Sequence, residues 1–330
     1  MIPPSLPPAL RAALDRKAQG LSRSDAAARA TAISQAYRGG GNSGAIRDAS
    51  DALAYALVRM PATYAAIIAS LNALCAAQPA FAPATLLDIG AGPGTATWAA
   101  AEAFPSLAQF SAIDGNPALR ALARDLVQGD ARLSDVRYTL NDATAGLHDA
   151  PASDLVVASY VIGELDANRR AALTEQMWAQ TRDTLLVVEP GTPDGSARII
   201  ALRKRLIARG AHVLAPCPHD GTCPLTLPDW CHFVQRLPRL RAHKRLKGAE
   251  LPYEDEKFSY VALSRSPARR HPARVLAQPL ITKVAVTAKL CTPQGLTLAT
   301  IPRRDKTAFV RARKLDWGDA VIDSRGPQAE

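Results

Sequence analysis

A short apolar run, Thr85–Ile89, leads into the residues with the clearest chemical potential. The run is typical of a buried parallel strand, and the sequence Asp-Ile-Gly-Ala-Gly-Pro-Gly supplies Asp88, Gly90, Ala91, Gly92 and Gly94. Glycine has no Cβ, so the backbone at such a turn can approach a ligand closely. A helix-permissive, Ala-rich segment follows, and a helix start offers free N–H groups to a polar or anionic ligand. The pattern predicts a strand, a glycine turn and a helix that together bind a ligand.

The glycine motif resembles the first motif of class I S-adenosylmethionine (SAM)-dependent methyltransferases, and no Gly-Lys-Ser/Thr follows it, which disfavours a P-loop. The resemblance implies SAM contacts from the five residues of the motif named above. A second predicted strand, residues 109–113, ends at Asp114, where such folds bind ribose hydroxyls. We therefore predict Asp114 and the nearby Asn116 as SAM ligands, with capping of the next helix as the alternative role of the Asp.

Two further strand ends carry candidate site residues. After the third predicted strand, residues 136–140, the resemblance implies that Asp142 meets the adenine amino group and that Ala143 lies beside the ring. The fourth predicted strand, residues 154–161, ends near Ser159, a further predicted SAM contact. Ligands of parallel α/β sheets lie beyond the carboxyl ends of the strands, so the acceptor is expected here, with Tyr160 and Glu164 as catalytic candidates. The Asn/Asp-Pro-Pro-Tyr loop of amino-methylating enzymes is missing, so a SAM pocket is predicted without assured turnover.

Four cysteines form a second chemical constellation. Cys217, Cys223 and Cys231 lie within fifteen positions, and Cys291 follows 60 residues later. Four thiolates on loops can form a closed site for a soft metal. The spacing is not the C-x-x-C of zinc ribbons, which favours an iron–sulfur cluster. Zinc remains open, with His219 and His232 as alternative nitrogen ligands, and so do unligated structural thiols.

Positive charge is concentrated in the second part of the chain. Residues 201–330 contain 24 Lys and Arg against 11 Asp and Glu, whereas residues 1–200 contain 16 against 19. The basic residues fall in dense patches, which are Arg236, Arg239, Arg241, Lys244, Arg245 and Lys247, then Arg265, Arg269, Arg270 and Arg274, then Arg303, Arg304, Lys306, Arg311, Arg313 and Lys314. This distribution favours a polyanionic partner, most simply nucleic acid.

The elements that must position these residues define an α/β class I SAM-methyltransferase (Rossmann-like) fold with three additions. Residues 1–80 are predicted as a helical N-terminal cap, with two helices over residues 45–60 and 62–77 that meet at Pro61. Residues 81–210 and 250–266 form the SAM-binding domain, 211–249 a Cys-rich metal-binding insertion and 267–330 a basic β extension. A helix over residues 195–209 is expected to present its arginines to a partner, residues 254–256 to form a solvated turn, and residues 309–313 to form a third strand of the extension.

The assembled chain resembles the ribosomal small-subunit methyltransferase-like (Rsm-type) family, whose mitochondrial members assist small-subunit assembly. The resemblance runs from about residue 54 to residue 319, and its most specific markers are Cys217-Pro218-His219, Cys223-Pro224-Leu225, Asp229-Trp230-Cys231-His232-Phe233 and Glu254-Asp255-Glu256-Lys257-Phe258-Ser259-Tyr260. It implies a 4Fe–4S cluster on Cys217, Cys223, Cys231 and Cys291. It also implies binding to small-subunit ribosomal RNA and ribosomal particles during assembly.

These observations predict a SAM-binding, iron–sulfur-containing assembly factor of the small ribosomal subunit, with methylation optional. An active ribosomal RNA methyltransferase and a small-molecule methyltransferase with structural zinc are the alternatives. No apolar run approaches the ~20 residues of a membrane helix, and the first residues lack the features of a secretory signal. Few cysteines without such a signal indicate a reducing compartment, so we expect the bacterial cytoplasm as the location. We also expect the protein to be a monomer.

Overall fold

The computed structural model describes residues 1–239, 250–267 and 270–321. The predicted basic residues Arg241, Lys244, Arg245, Lys247 and Arg269 lie outside the described residues.

An eight-stranded sheet forms the centre of the described structure. Its strands are β1 (Thr85–Ile89), β2 (Gln109–Asp114), β3 (Arg137–Leu140), β4 (Ser153–Ser159), β5 (Thr181–Pro190), β6 (His212–Ala215), β7 (Phe233–Pro238) and β8 (Tyr253–Ser264). Seven of these strands lie in the order β3-β2-β1-β4-β5-β8-β6, and the eighth strand, β7, pairs with β8. Strands β1 to β5 are parallel, and β8 is antiparallel to both β5 and β6. This arrangement is the Rossmann-like architecture of class I methyltransferases, so the predicted α/β fold is confirmed.

Helices cover both faces of the sheet. The described helices are α1 (Pro8–Lys17), α2 (Arg23–Arg38), α3 (Ala49–Ala77), α4 (Thr95–Ala103), α5 (Pro117–Leu126), α6 (Ala143–Gly146), α7 (Ala167–Gln180), α8 (Pro193–Ile207) and α9 (Lys306–Ala312). Helix α9 belongs to the C-terminal extension and does not pack on the central sheet. Helix α3 is the central one, because Tyr64, Ile67 and Leu71 on it are at most 1% exposed. By length and composition α3 could cross a membrane, but 83% of its most apolar window is buried inside the protein.

Pro61 does not divide the N-terminal region into two helices. Helix α3 runs through it as one element of 29 residues. A proline inside a helix removes one hydrogen bond and costs about 3 kcal/mol. Burial of the apolar residues on both sides of Pro61 offsets that cost, so the prediction of two helices meeting there is wrong.

The C-terminal extension contains a second sheet. Its strands are β9 (Ala273–Val275), β10 (Leu280–Ile281), β11 (Ala285–Thr292), β12 (Gly295–Pro302) and β13 (Ala320–Val321). The predicted third strand over residues 309–313 is instead part of α9. Asp305 caps this helix by accepting a hydrogen bond from Ala308 N at 3.1 Å, and Phe309 and Ala312 bury one face of it. These two buried positions are three residues apart, which is a helical spacing and not the alternation of a strand.

Strand β8 connects the two parts of the molecule that concern function. It pairs with β7 through residues 253–258 and with β6 through residues 262–264. The Cys-rich loop, residues 216–232, connects β6 to β7 and therefore lies beside the middle of β8. The Ser259 hydroxyl fixes it there by donating a hydrogen bond of 2.7 Å to Cys231 O.

Candidate functional site

A pocket opens at the carboxyl ends of β1, β2 and β4. Nine of the predicted site residues line it, namely Gly90, Ala91, Gly92, Asp114, Asp142, Ala143, Ser159, Tyr160 and Glu164. These residues come from four separate loops, and the strand order brings the loops together. The pocket therefore lies where parallel α/β sheets bind their ligands.

The glycine turn requires a conformation that other residues rarely adopt. Gly90, Gly92 and Gly94 have φ values of 65°, 55° and 81°. A Cβ at Gly90 would lie only 2.5 Å from Val161 Cγ2, so the turn packs directly against the loop after β4. Gly94 does not line the pocket and instead begins helix α4.

Two other predicted SAM ligands lie behind the pocket wall. Asp88 is fully buried and accepts hydrogen bonds from Thr97 N and Thr97 Oγ1 at 2.9 and 2.8 Å, which tie β1 to α4. Burial raises the pKa of the Asp88 carboxyl to about 7. Asn116 caps α5 and donates hydrogen bonds to Ser43 O and Ile46 O, both at 2.8 Å. The Asn116 side chain and Asp88 Oδ2 are therefore committed to partners within the protein, whereas Asp88 Oδ1 is buried without a partner among the described residues.

Asp114 is held in place by the turn that it faces. Its two carboxylate oxygens accept hydrogen bonds from Gly92 N and Asn116 N, each at 2.7 Å. Burial outweighs these hydrogen bonds and raises the pKa of Asp114. Each oxygen keeps a second lone pair that can accept a ligand hydroxyl.

The pocket is acidic. Asp114, Asp142 and Glu164 line it, and its described lining residues include no Lys or Arg. Burial also raises the pKa of Glu164, whose Oε2 accepts a hydrogen bond from Ser43 N at 3.2 Å. Such a lining suits a cationic ligand and opposes a phosphate.

Two tyrosines that were not predicted from the sequence complete the lining. Tyr37 on α2 and Tyr55 on α3 both contact the pocket, and their rings are stacked with centroids 6.1 Å apart. Aromatic faces attract cations. Because both residues belong to the N-terminal helices, only the folded structure brings them to the sheet.

Glu256 is the most important residue that the sequence reasoning missed. It is predicted to lie in a solvated turn, but it is in β8 and only 8% exposed. Its Oε1 accepts hydrogen bonds from the Tyr160 hydroxyl at 2.9 Å and from Arg59 Nη2 at 3.1 Å. Tyr160 has a φ of 58°, the only positive value for a non-glycine residue in the described ranges. The turn prediction is wrong because β7 pairs with this segment.

All four cysteines that were predicted as metal ligands line a second cavity. Cys217, Cys223 and Cys231 come from the Cys-rich loop, and Cys291 comes from the end of β11. Burial raises the pKa of the Cys217 and Cys231 thiols, and it raises the pKa of Cys291 to about 12. The fold therefore joins four thiols that the sequence separates by up to 74 positions.

The four thiols do not form a compact site for one ion in this structure. Among the described residues, no group of three or more His, Cys, Asp or Glu side chains is close enough to hold one ion. His219 lines the cavity, with Nε2 3.7 Å from Cys291 Sγ. His232 lies instead between two tryptophans, with ring centroids 5.0 Å from Trp230 and 4.8 Å from Trp317.

Two of the five basic residues predicted to face a partner from the helix over residues 195–209 are instead used inside the protein, and the other three are exposed. Arg198 Nε donates to the buried carboxylate of Glu189 at 2.7 Å, and Arg203 lines the Cys cavity. Arg205 and Arg209 pair with Glu175. A denser group of exposed basic residues lies around α9, namely Arg303, Arg304, Lys306, Arg311, Arg313 and Lys314. We call these six residues the α9 basic patch.

The strand order and the pocket at its centre define a protein of the class I methyltransferase type. A family model described as mitochondrial small ribosomal subunit Rsm22 matches residues 49–322. The chain belongs to the Rsm22 family.

Two curated relatives and one solved structure illustrate the similarity. The human mitochondrial ribosome assembly protein METTL17 is 30% identical over 287 residues, which cover 82% of this chain and 62% of METTL17. Rsm22-cox11 tandem protein 2 of Schizosaccharomyces pombe is 26% identical over 327 residues, covering 81% of this chain and 42% of that protein. The SAM-bound magnesium protoporphyrin IX methyltransferase of Synechocystis is 11% identical with a TM-score of 0.41, covering 66% of this chain and 84% of that chain. At that score the likeness supports no inference about the site.

These comparisons correct the predicted location. The family model and both curated relatives are described as mitochondrial, so the expected bacterial cytoplasmic location is contradicted. The chain spans less than two thirds of the length of either curated relative.

Proposed function

We propose that this chain is a SAM-binding, methyltransferase-like protein that assists assembly of the small ribosomal subunit by binding its ribosomal RNA. The observation that carries the proposal is the family match over residues 49–322. That single match spans the Cys cavity, the α9 basic patch and all of the pocket lining except Tyr37 and Ser43.

The pocket supports SAM as the ligand on charge as well as position. SAM carries a sulfonium and an ammonium group against one carboxylate, so it is a net cation. Three carboxylates and two tyrosine rings line the pocket, whereas a dinucleotide would bring phosphates toward them. Asp114 would accept the ribose hydroxyls, and Asp142 and Ala143 would lie at the adenine.

Ribosomal RNA is the partner that best explains the α9 basic patch. Within residues 303–314 the six basic side chains are accompanied by a single acidic residue, Asp305. Lys and Arg that contact phosphates release counterions, so the affinity for RNA falls with salt. We expect charge reversal at Arg304, Lys306 and Lys314 to weaken binding to a single-stranded segment of small-subunit RNA. The slope of log affinity against log salt should become shallower by roughly 0.7 for each phosphate that is no longer neutralised. An unchanged slope would contradict the assignment of this surface.

The Cys cavity supports a 4Fe–4S cluster better than a zinc ion. Four thiolates on one zinc ion would lie about 3.8 Å apart, since each Zn–S bond is about 2.3 Å long. In a 4Fe–4S cluster each thiolate bonds a different iron atom, so the sulfur atoms are farther apart. Four thiols around one cavity, without a closer group of three ligands among the described residues, fit the cluster. Cys217, Cys223, Cys231 and Cys291 would hold it, and when bound it would supply structural cross-linking and one-electron chemistry.

Methyl transfer to RNA is the second candidate activity, and the backbone of Tyr160 favours it. Residues held in sparsely populated conformations cluster at active sites, and Tyr160 stands where the acceptor of a class I methyltransferase would lie. Radiolabelled SAM and small-subunit RNA test this activity directly. Methyl incorporation that falls in Tyr160→Phe and Glu164→Gln would support it. No incorporation by the wild type would leave SAM as a bound ligand only.

A further inference from the structure

Two buried arginines form part of the wall of the Cys cavity. Arg203 on α8 is 3% exposed and Arg274 on β9 is 4% exposed. Both contact the space that the four thiols surround. None of the ion pairs formed between described residues includes either arginine.

Backbone carbonyls orient these two guanidinium groups without neutralising them. Arg274 donates from Nε to Pro216 O and from Nη1 to Gly318 O, both at 2.7 Å, and it is the register partner of Cys291 in the C-terminal sheet. Arg203 Nη2 donates to His219 O at 2.6 Å. Its Nε is buried and has no acceptor among the described residues. One donor of each arginine therefore holds the Cys-rich loop, while the positive charge remains.

Among the described residues that line the cavity, the thiols are the groups that can balance these two positive charges. An arginine stays protonated in proteins, and a buried charge without an opposite charge is strongly unfavourable. Four thiolates with two guanidiniums leave a net charge of −2 in the cavity. A core of charge 2+ makes the enclosed site neutral. Without the two arginines the same loaded site would carry a net negative charge in a low-dielectric interior.

We propose that Arg203 and Arg274 are the counter-charges of the metal core and raise the reduction potential of an iron–sulfur cluster bound by the four thiolates. The inference rests on the cluster assigned under the proposed function. A cluster held there would supply one-electron chemistry: it would take one electron from an external one-electron reductant, the core charge would fall from 2+ to 1+, and no bond would be made or broken. Net charge and hydrogen bonding near the sulfurs set such potentials, and a nearby positive charge favours the more negative, reduced state.

The test compares Arg203→Met, Arg203→Lys and Arg205→Met in the full chain, purified without oxygen. Arg205 is two positions along the same helix, and its side chain pairs with Glu175 on the surface, so Arg205→Met is the matched control. Iron and sulfide per chain, circular dichroism and the midpoint potential from a dye-mediated redox titration are measured for each protein. The equilibrium constant for reduction should be at least tenfold smaller in Arg203→Met than in the wild type. This corresponds to a midpoint potential that is lower by at least about 59 mV for one electron. Arg203→Lys and Arg205→Met should stay close to the wild type.

The outcomes separate this inference from the proposed function. Loss of iron in Arg203→Met with retention in Arg203→Lys would also support a role for the charge. Equal potentials in all folded, iron-loaded variants would overturn the inference, as would equal loss of iron from both Arg203 variants with an unchanged circular dichroism spectrum. A wild-type protein without iron and sulfide would instead refute the cluster itself.

Discussion

The Tyr160 hydroxyl donates a hydrogen bond of 2.9 Å to Glu256, 96 residues further along the chain. The same carboxylate oxygen accepts from Arg59 Nη2, so one side chain connects the loop after β4 to the central helix α3. A left-handed backbone conformation costs a non-glycine residue about 1–3 kcal/mol. The hydrogen bonds to Glu256 offset this cost at Tyr160 and make β8 part of the support of the pocket.

We therefore expect Glu256→Gln to destabilise the protein and to weaken SAM binding. The substitution removes the charge that pairs with Arg59 in a mostly buried position, where the loss is about 1–3 kcal/mol. Asp255→Asn is the matched control, because the neighbouring carboxylate pairs with Arg236 on the surface and should change stability by less than about 1 kcal/mol. Urea unfolding and calorimetry with SAM measure both effects. Equal stabilities of the two variants would contradict the proposed support role.

The affinity for SAM should rise with pH. Burial holds the pKa values of Asp114 and Glu164 above their ordinary range, so both carboxyls take up protons at a higher pH than exposed carboxyls do. A cationic ligand prefers the ionised forms, so its binding releases protons. Calorimetry at about pH 5, 6 and 7, where the α-ammonium group of SAM stays protonated, should find binding roughly three- to tenfold tighter at the highest pH.

Asp114→Asn is the control for this pH dependence. It should bind SAM more weakly at the highest pH and should flatten the profile, because one of the two titrating groups is gone. An affinity that is independent of pH in the wild type would contradict the electrostatic account of the pocket.

Asp88 should make the wild type less stable as the pH rises. Burial raises its folded-state pKa to about 7, well above the unfolded value near 4. The folded state therefore holds an extra proton between about pH 4 and pH 7, and the stability from that proton is lost as pH rises through this window. Relative to Asp88→Asn, the wild type should lose about 2–3 kcal/mol between pH 5 and pH 8. Parallel stability curves for the two proteins would show that Asp88 does not titrate there.

Removal of the proposed cluster should destabilise the Cys-rich loop. Cys217→Ser, Cys223→Ser and Cys231→Ser should each lower the melting temperature by roughly 5–10 °C, because metal binding is coupled to folding. Stripping iron from the wild type should have the same effect. Cys75→Ser is the control, since Cys75 lies on α3 and does not line the cavity. Unchanged melting in all three loop variants would exclude a structural metal core.

Local sequence patterns predicted the sheet and the glycine turn because both depend on neighbouring residues. The apolar run before Gly90 and the acidic residue that ends β2 give the same strand ends that the structure has. Grouping of the pocket residues then follows from the topology of parallel strands. Glu256 could not be predicted in the same way, because its partner Arg59 is 197 residues away.

The errors at the helices have identifiable physical causes. The tertiary packing of α3 outweighed the helix-breaking preference of Pro61. A short stretch of sequence contains no information about that packing. Asp305 before Phe309 and Ala312 was a readable signal for helix α9, and it was outweighed by the alternating pattern of the strands before it. Arg203 was assigned to the surface because the burial of a charged residue depends on partners distant in sequence.

Co-sedimentation with small ribosomal subunits tests the central claim most directly. Purified chain, with and without SAM, is centrifuged with isolated small-subunit particles, and a variant with charge reversal at Arg304, Lys306 and Lys314 is the control. We predict that the wild type sediments with the particles in a salt-sensitive manner and that the variant largely remains in the supernatant. A wild type that stays in the supernatant at low salt, or a variant that sediments equally well, would contradict this account.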